Sequence, residues 1–302
     1  MWGWRRARVC PISPGKAGPW RSGRVGESLP VSAQIPTRRL TTRDIAAMRR
    51  RGEAIAMLTA YDAITAALVD QAGIDMILVG DSLGNVVLGH ETTLPVSLDD
   101  MIRHAGAVRR GSSHALVVCD MPFGAATDPQ VALANAVRVM KETGVDAVKL
   151  EGGLVMVPVI EHLVAHGIAV VAHIGLTPQS VHQMGGYYMH GKDAASAERL
   201  RTEALALQAA GAFAIVLECV VPALAAEITR LLSVPTIGIG SGQDCAGQVL
   251  VVNDLIGLNV TPPPGFARPR ADMAAIIRQA VGDYVADTKA ERHAMPLPLR
   301  VE

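Results

Sequence analysis

From Thr41 onward, short apolar runs rich in Val and Ile alternate with longer amphipathic segments. The runs are AIAMLTAY (54–61), IDMILVGD (74–81), ALVVCD (115–120), DAVKLE (146–151), IAVVAHIG (168–175), AFAIVLE (212–218), VPTIGIG (234–240) and QVLVVNDL (248–255). Runs this short, apolar at nearly every position, predict strands covered on both faces. Between them, DAITAALVDQAG (62–73), SLDDMIRHAGAVRR (97–110), DPQVALANAVRVMKETG (128–144) and PALAAEITRLL (222–232) carry helical spacing. Ser97 and Asp128 stand where a helix start takes a cap, and Pro222 where it tolerates proline. Eight strands alternating with helices over about 220 residues predict an α/β fold, the (β/α)8 TIM barrel. A doubly wound sheet shares that alternation and differs only in not closing.

Polar residues are concentrated at one end of these runs. Tyr61 and Asp62, Asp81 and Ser82, Asp120, Lys149 and Glu151, His173, and Glu218 each fall in the last residue or two of a run or just beyond it. In a barrel those C-terminal ends meet on one rim, where the chemistry of the fold is carried. A single polar residue there can simply mark a turn. Four carboxylates from four strands on one mouth need a cation or bound protons, because like charges at short range repel. Asp81, Asp120 and Glu151 are hard oxygen donors spaced about one βα unit apart, with no His–Cys pair beside them. Such a set suits Mg²⁺, with the alternative that one of the three only hydrogen-bonds a metal-bound water. Glu218 lies within the apolar FAIVLECVV, and a desolvated carboxylate makes a stronger general base; a structural cap on a loop amide is the equal alternative. Lys149, two residues before Glu151, shares its face of the strand and is placed to meet a substrate oxyanion or to balance the carboxylates.

Composition narrows the class. The 302-residue chain is 50% apolar, enough for a large core, which excludes global disorder. Its zero formal charge is unevenly spread, with 12 Lys/Arg against two acids in residues 1–52 and 16 against 26 in the remainder. An acidic body has no basic face for phosphates, so no nucleic-acid partner is expected. The longest apolar stretch, Ala212–Ala226, is interrupted by Glu218 and Pro222, so no membrane span is expected. Cys10, Cys119, Cys219 and Cys245 form no CxxC pair, as in a reducing compartment. Residues 1–40, dominated by Arg, Pro, Gly and Ser, read as a basic, disordered extension ahead of a single catalytic barrel over 41–302. A mitochondrial transit peptide is the alternative for that tail, but its Pro and Gly oppose an amphipathic helix. A cytoplasmic location is expected.

Three further segments weigh less. IGIGSG (237–242) offers either an anion cradle or close packing at a strand end. His162 and His166, four apart on a helix, read as surface residues rather than metal ligands. GGYYMHGK (185–192) is a lid or an ordinary loop.

MLTAYD, MILVGDSLGNVVLGHETTLPV, VRRG, CDMPFG, VKLEGG, HIGLTPQSVHQMGGY, VLECV and IGIGSG occur here in the order seen in the ketopantoate hydroxymethyltransferase family. The chain resembles that family from about Thr41 to about Gly265, and VGDSLG with GHETTLPV is highly specific. The resemblance implies a homodecamer of (β/α)8 barrels and a Mg²⁺-dependent step of pantothenate biosynthesis, with one ion per subunit. A hydroxymethyl group would pass from 5,10-methylenetetrahydrofolate to 3-methyl-2-oxobutanoate. The family's metal carboxylates match Asp81, Asp120 and Glu151, and its proton acceptor matches Glu218. Its substrate contacts match Asp81 with Ser82, Asp120 and Lys149, with His173 nearby. Two other classes stand against this. A Mg²⁺-dependent 2-oxo-acid barrel of the phosphoenolpyruvate mutase kind would not need HIGLTPQS or GHETTLPV, and a non-catalytic barrel would have lost a rim carboxylate. After Leu258 the segment TPPPGFARP departs from the family pattern, which leaves the folate contacts unassigned.

Overall fold

A computed structural model describes residues 38–294. Within it, the strands β1 (Ile55–Thr59), β2 (Met76–Val79), β3 (Leu116–Asp120), β4 (Ala147–Glu151), β5 (Val170–Gly175), β6 (Ala214–Glu218), β7 (Thr236–Ile239) and β8 (Gly247–Leu250) are all parallel and paired in sequence order. The closing ladder is β8 on β1, in register from Ile55↔Gly247 to Leu58↔Leu250. That pairing decides for the barrel over the open sheet. Most of the expected tail, residues 1–37, lies outside the described residues. Residues 39 and 40 are tied to the barrel. Arg39 donates to the carbonyls of Ser112 and Ala115, and the Leu40 N–H to the His114 carbonyl at 2.8 Å.

The helices are α1 (Thr42–Arg51), α2 (Ala63–Gln71), α3 (Leu83–Val86), α4 (Leu98–Gly111), α5 (Pro129–Thr143), α6 (Val157–Ala165), α7 (Val181–Met184), α8 (Ala194–Ala209), α9 (Pro222–Leu231), α10 (Val252–Ile256) and α11 (Met273–Ala294). Their starts follow the local signals. Ser97 forms a capping box with Asp100, Asp128 accepts from the N–H groups of Gln130 and Val131, and Pro222 opens α9. Asp62, one of the polar residues at the strand ends, is used differently. Its carboxylate caps α2 through the Ile64 and Thr65 N–H groups.

Strand alternation sorts the core into two clusters. Met76 and Leu78, Leu116 and Val118, Ala147, Val171, Ala214 and Val216 face into the barrel with Ile55, Met57, Ile237 and Val249. Ile45 and Met48 of α1 join this inner cluster. The intervening residues, such as Ile77, Val79, Val117, Val148 and Ile215, face the helices. Period two then extends upward. Asp120 follows Leu116 and Val118, Lys149 and Glu151 follow Ala147, His173 follows Val171, and Glu218 follows Ala214 and Val216. All five therefore rise on the inner face at the C-terminal end, above the apolar layers.

The last apolar run is split. Strand β8 ends at Leu250, and α10 begins two residues later. The Thr59 hydroxyl takes the Val252 N–H at 2.9 Å, which draws the chain out of the ladder. Unbroken apolarity carries no period, so strand and helix merged in the sequence pattern.

Candidate active site

The rim residues form one connected polar cluster at the mouth. Lys149 Nζ lies 2.7 and 2.8 Å from the two oxygens of Asp120 and 3.6 Å from Glu151 Oε1. His173 stands between two carboxylates, with Nδ1 3.2 Å from Glu151 Oε1 and Nε2 3.3 Å from Glu218 Oε2. Neither ring nitrogen is aligned for a regular hydrogen bond. Asp81 lies two residues beyond the end of β2, and its N–H donates to Asp120 Oδ2 at 3.3 Å. Ser82 beside it shares a 2.8 Å hydrogen bond with the Tyr61 hydroxyl. Asp81, Asp120, Lys149 and His173 are buried, while the Glu218 side chain is 17% exposed and opens to the cavity.

Burial and charge set the protonation of this cluster. Burial, then the charges of Asp120 and Glu151, push the Asp81 carboxyl up to about 8. Burial opposes the Lys149 cation, but Asp120, Glu151 and Asp81 outweigh it and hold the ammonium charged. Burial and Lys149 likewise oppose a charged His173, yet Glu151 and Glu218 raise it to about 9. Glu151 pays for its burial through His173 and Lys149, which keep it below the usual range. Four carboxyl groups thus face two cations, and at neutral pH Asp81 keeps its proton. A bound cation of oxygen-preferring chemistry would displace that proton, and the donors at hand are carboxylates with no thiol ligand among them.

Asp81 and Asp120 are adjacent, whereas Glu151 is turned toward Lys149, His173 and the Gln179 N–H. Among the described residues no three His, Cys, Asp or Glu side chains converge as a ready ligand cluster. Gln179, within HIGLTPQS, joins the site without any signal in the sequence pattern. Its amide nitrogen donates to Asp81 Oδ2 at 2.9 Å and to the Met121 carbonyl at 3.0 Å, while its backbone N–H holds Glu151 Oε2 at 3.0 Å. Thr93, within GHETTLPV, likewise carries no such signal. It lines the cavity with a buried hydroxyl that lacks a partner.

The other segments resolve by contact. In IGIGSG, the Ser241 hydroxyl donates to the Leu217 carbonyl and accepts from the Val220 N–H, which favours packing over an anion cradle. His162 and His166 lie against one another with ring centroids 4.5 Å apart and planes tilted by 56°, at the surface of α6 and its end. In GGYYMHGK, Tyr187 is exposed and lines the cavity, while Tyr188 stacks on His190 at 4.7 Å. Cys119, Cys219 and Cys245 are free thiols. Among the described residues no helix is long and apolar enough to cross a membrane.

The cavity holds about 520 Å³ and extends from this cluster to a wall built by Val251, Asp254 and the segment Leu258–Phe266. It is large enough for more than a small acid.

A family model described as ketopantoate hydroxymethyltransferase matches residues 39–296. The 3-methyl-2-oxobutanoate hydroxymethyltransferase of a Cyanothece species is 54% identical over 250 residues, covering 82% of this chain and 95% of the relative. The protein of the same name from a Roseiflexus species is 54% identical over 248 residues, covering 82% and 89%. Among solved structures, phosphoenolpyruvate phosphomutase from Streptomyces platensis superposes with a TM-score of 0.59 at 16% identity, covering 85% of this chain and 92% of that one. At that identity the likeness is one of fold.

Proposed function

The chain belongs to the ketopantoate hydroxymethyltransferase family, and from that premise we propose how its rim carries out the reaction. The enzyme transfers a hydroxymethyl group to 3-methyl-2-oxobutanoate, giving 2-dehydropantoate, in pantothenate biosynthesis. In the reading proposed here the donor is 5,10-methylenetetrahydrofolate.

The observation that carries the mechanism is the convergence of Glu218, His173, Lys149 and Asp120 on one inner face, with Glu218 the carboxylate open to the cavity. The oxo acid is an anion, so it is drawn toward Lys149 and His173, with Ser82, Asp81 and Asp120 bordering it. Glu218 takes the proton from C3, and the C–H electron pair moves into the C2–C3 bond as the carbonyl becomes an enolate. His173, charged between Glu151 and Glu218, holds the base in place. Lys149 offsets the charge that develops on the enolate oxygen. As C3 bonds to the methylene carbon of the donor, one of that carbon's two carbon–nitrogen bonds breaks and its nitrogen takes up the proton that Glu218 removed. The remaining carbon–nitrogen bond breaks as water gives its hydroxyl to the carbon and its proton to the departing nitrogen, which releases tetrahydrofolate. The site would hold Mg²⁺ at Asp81 and Asp120, with Glu151 as a third carboxylate. When bound, that ion supplies Lewis-acid polarisation of the 2-oxo acid.

The reading extends to assembly and location. Ile276, Ile277, Val281 and Tyr284 leave apolar surface exposed on α11, which supports a homo-oligomer, and the family resemblance favours a decamer as its form. The proposed location is the cytoplasm.

Deuterium exchange at C3 of 3-methyl-2-oxobutanoate, in D₂O with Mg²⁺ and no folate, tests the first step. Wild type should exchange, and Glu218→Gln should lose exchange by about 10²- to 10⁴-fold. Exchange that survives in Glu218→Gln would move the base elsewhere.

A further inference from the structure

Away from the rim cluster, the cavity is bounded mainly by Leu258, Val260, Pro262 to Pro264 and Phe266. One carboxylate interrupts this apolar wall. Asp254 of α10 is 9% exposed, and its Oδ1 accepts from the Asn259 side-chain amide at 2.6 Å. No other side-chain hydrogen bond reaches it among the described residues. An almost buried carboxylate with a single donor is undersatisfied, since each of its oxygens can accept twice. The mechanism above does not use it. It would also repel the anionic oxo acid, which belongs at the Lys149 end.

A ligand suited to this wall is flat, apolar on its faces, and carries two adjacent N–H donors on one edge. We propose that Asp254, steadied by Asn259, recognises the 2-amino-4-oxopyrimidine edge of the one-carbon donor's reduced pterin. N3–H and the 2-amino group donate to the two carboxylate oxygens, with the ring lying against Leu258, the prolines and Phe266. A paired, charge-assisted contact of this type both orients the ring and selects it. N5 and N10, which the methylene group bridges at the opposite end of the ring, then face the rim, where C3 of the oxo acid is activated. This inference rests on the reading of a folate as donor.

The test separates the two reactants. In Asp254→Ala and Asp254→Asn, the KM for 5,10-methylenetetrahydrofolate should rise about 10- to 100-fold. The KM for 3-methyl-2-oxobutanoate, and folate-free deuterium exchange at C3, should stay within about twofold of wild type, because Asp254 touches neither. A donor lacking the 2-amino group should be discriminated against by wild type and far less by Asp254→Ala. An unchanged donor KM in Asp254→Ala would overturn the assignment, as would equal loss of exchange and donor binding, which would mark Asp254 as structural. Formaldehyde supplied in place of the folate gives the last arm. Wild type that turns over formaldehyde but no folate would overturn the donor reading itself, and the Asp254 assignment with it.

Discussion

Lys149 and Asp120 are in direct register across the β3–β4 ladder, and the Lys149 ammonium contacts both oxygens of that aspartate, at 2.7 and 2.8 Å. The pair is buried, so removing one member strands the other. Lys149→Met should lower unfolding stability by about 3–5 kcal/mol and slow C3 deuterium exchange by about 10²- to 10³-fold, the loss typical of a missing oxyanion partner. Urea denaturation read beside exchange checks both. Full exchange in a destabilised variant would confine Lys149 to charge balance.

The rim was legible because one rule governs it. Once Leu116, Val118 and Ala147 are assigned to the inner face, alternation carries Asp120, Lys149 and Glu151 to the same face without further information. The same rule extends to His173 and Glu218. Gln179 was not legible, since its role depends on the chain after β5 folding back so that its side chain reaches Asp81, 98 residues earlier. Asp62 carried the same polar signal as Asp81 and turned out to cap α2. A residue at a strand end can serve the helix or the mouth, and only the path of the loop separates the two. The mixed fate of QVLVVNDL has a similar cause, because an apolar run gives no period to tell β8 from α10.

Asp70 predicts the acid limb of stability. Burial works against its charge, but the N–H groups of Ala115, Ser113 and His114 and the Ser113 hydroxyl outweigh it and hold the carboxyl below its usual value. A folded value below the unfolded one gives stability that is complete above about pH 4 and is lost as pH falls through the folded value. Asp70→Asn should therefore cost about 1–3 kcal/mol at pH 7. The gap from wild type should narrow below about pH 4, where the wild-type carboxyl protonates. Urea midpoints at pH 7 and in the acid range measure it. A gap that stays constant across that range would contradict the ionic account.

Two glycines in α4 should respond in opposite directions. A Cβ on Gly111 would come within 2.8 Å of the Ala63 Cα, backbone that cannot easily move because α2 starts there. Gly111→Ala should destabilise by about 1–3 kcal/mol through overpacking. At Gly106 the Cβ would meet only the end of the Arg110 side chain, at 3.2 Å, which can swing away. Gly106→Ala should stabilise by about 0.5–1 kcal/mol through reduced freedom of the unfolded chain. Thermal midpoints of the two variants, compared with wild type, read the signs directly. Equal effects would mean that the approach of α2 and α4 does not govern this helix.

Gln179 holds two of the proposed metal carboxylates with one residue, so its removal should be felt first in metal binding. Its side-chain amide fixes Asp81 Oδ2 at 2.9 Å and is itself fixed by the Met121 carbonyl, while its backbone N–H holds Glu151. Outer partners of this kind orient a carboxylate, and their loss commonly weakens metal binding by about 10- to 100-fold. Gln179→Ala keeps the backbone contact to Glu151 and removes only the contacts to Asp81 and Met121. Its Mg²⁺ affinity by titration calorimetry should fall within that range, and the Mg²⁺ concentration needed for half-maximal C3 exchange should rise by the same factor. At saturating Mg²⁺ the exchange rate should return close to wild type, because Glu218, Lys149 and His173 are untouched. Bound metal also stabilises the folded state by mass action, so the gain in thermal midpoint at a fixed, subsaturating Mg²⁺ concentration should be smaller in Gln179→Ala. Asp81→Asn serves as the limiting case, with a weaker response still. Wild-type Mg²⁺ affinity in Gln179→Ala would show that Asp81 is held without it, and a rate that stays low at saturating Mg²⁺ would place Gln179 on the substrate instead.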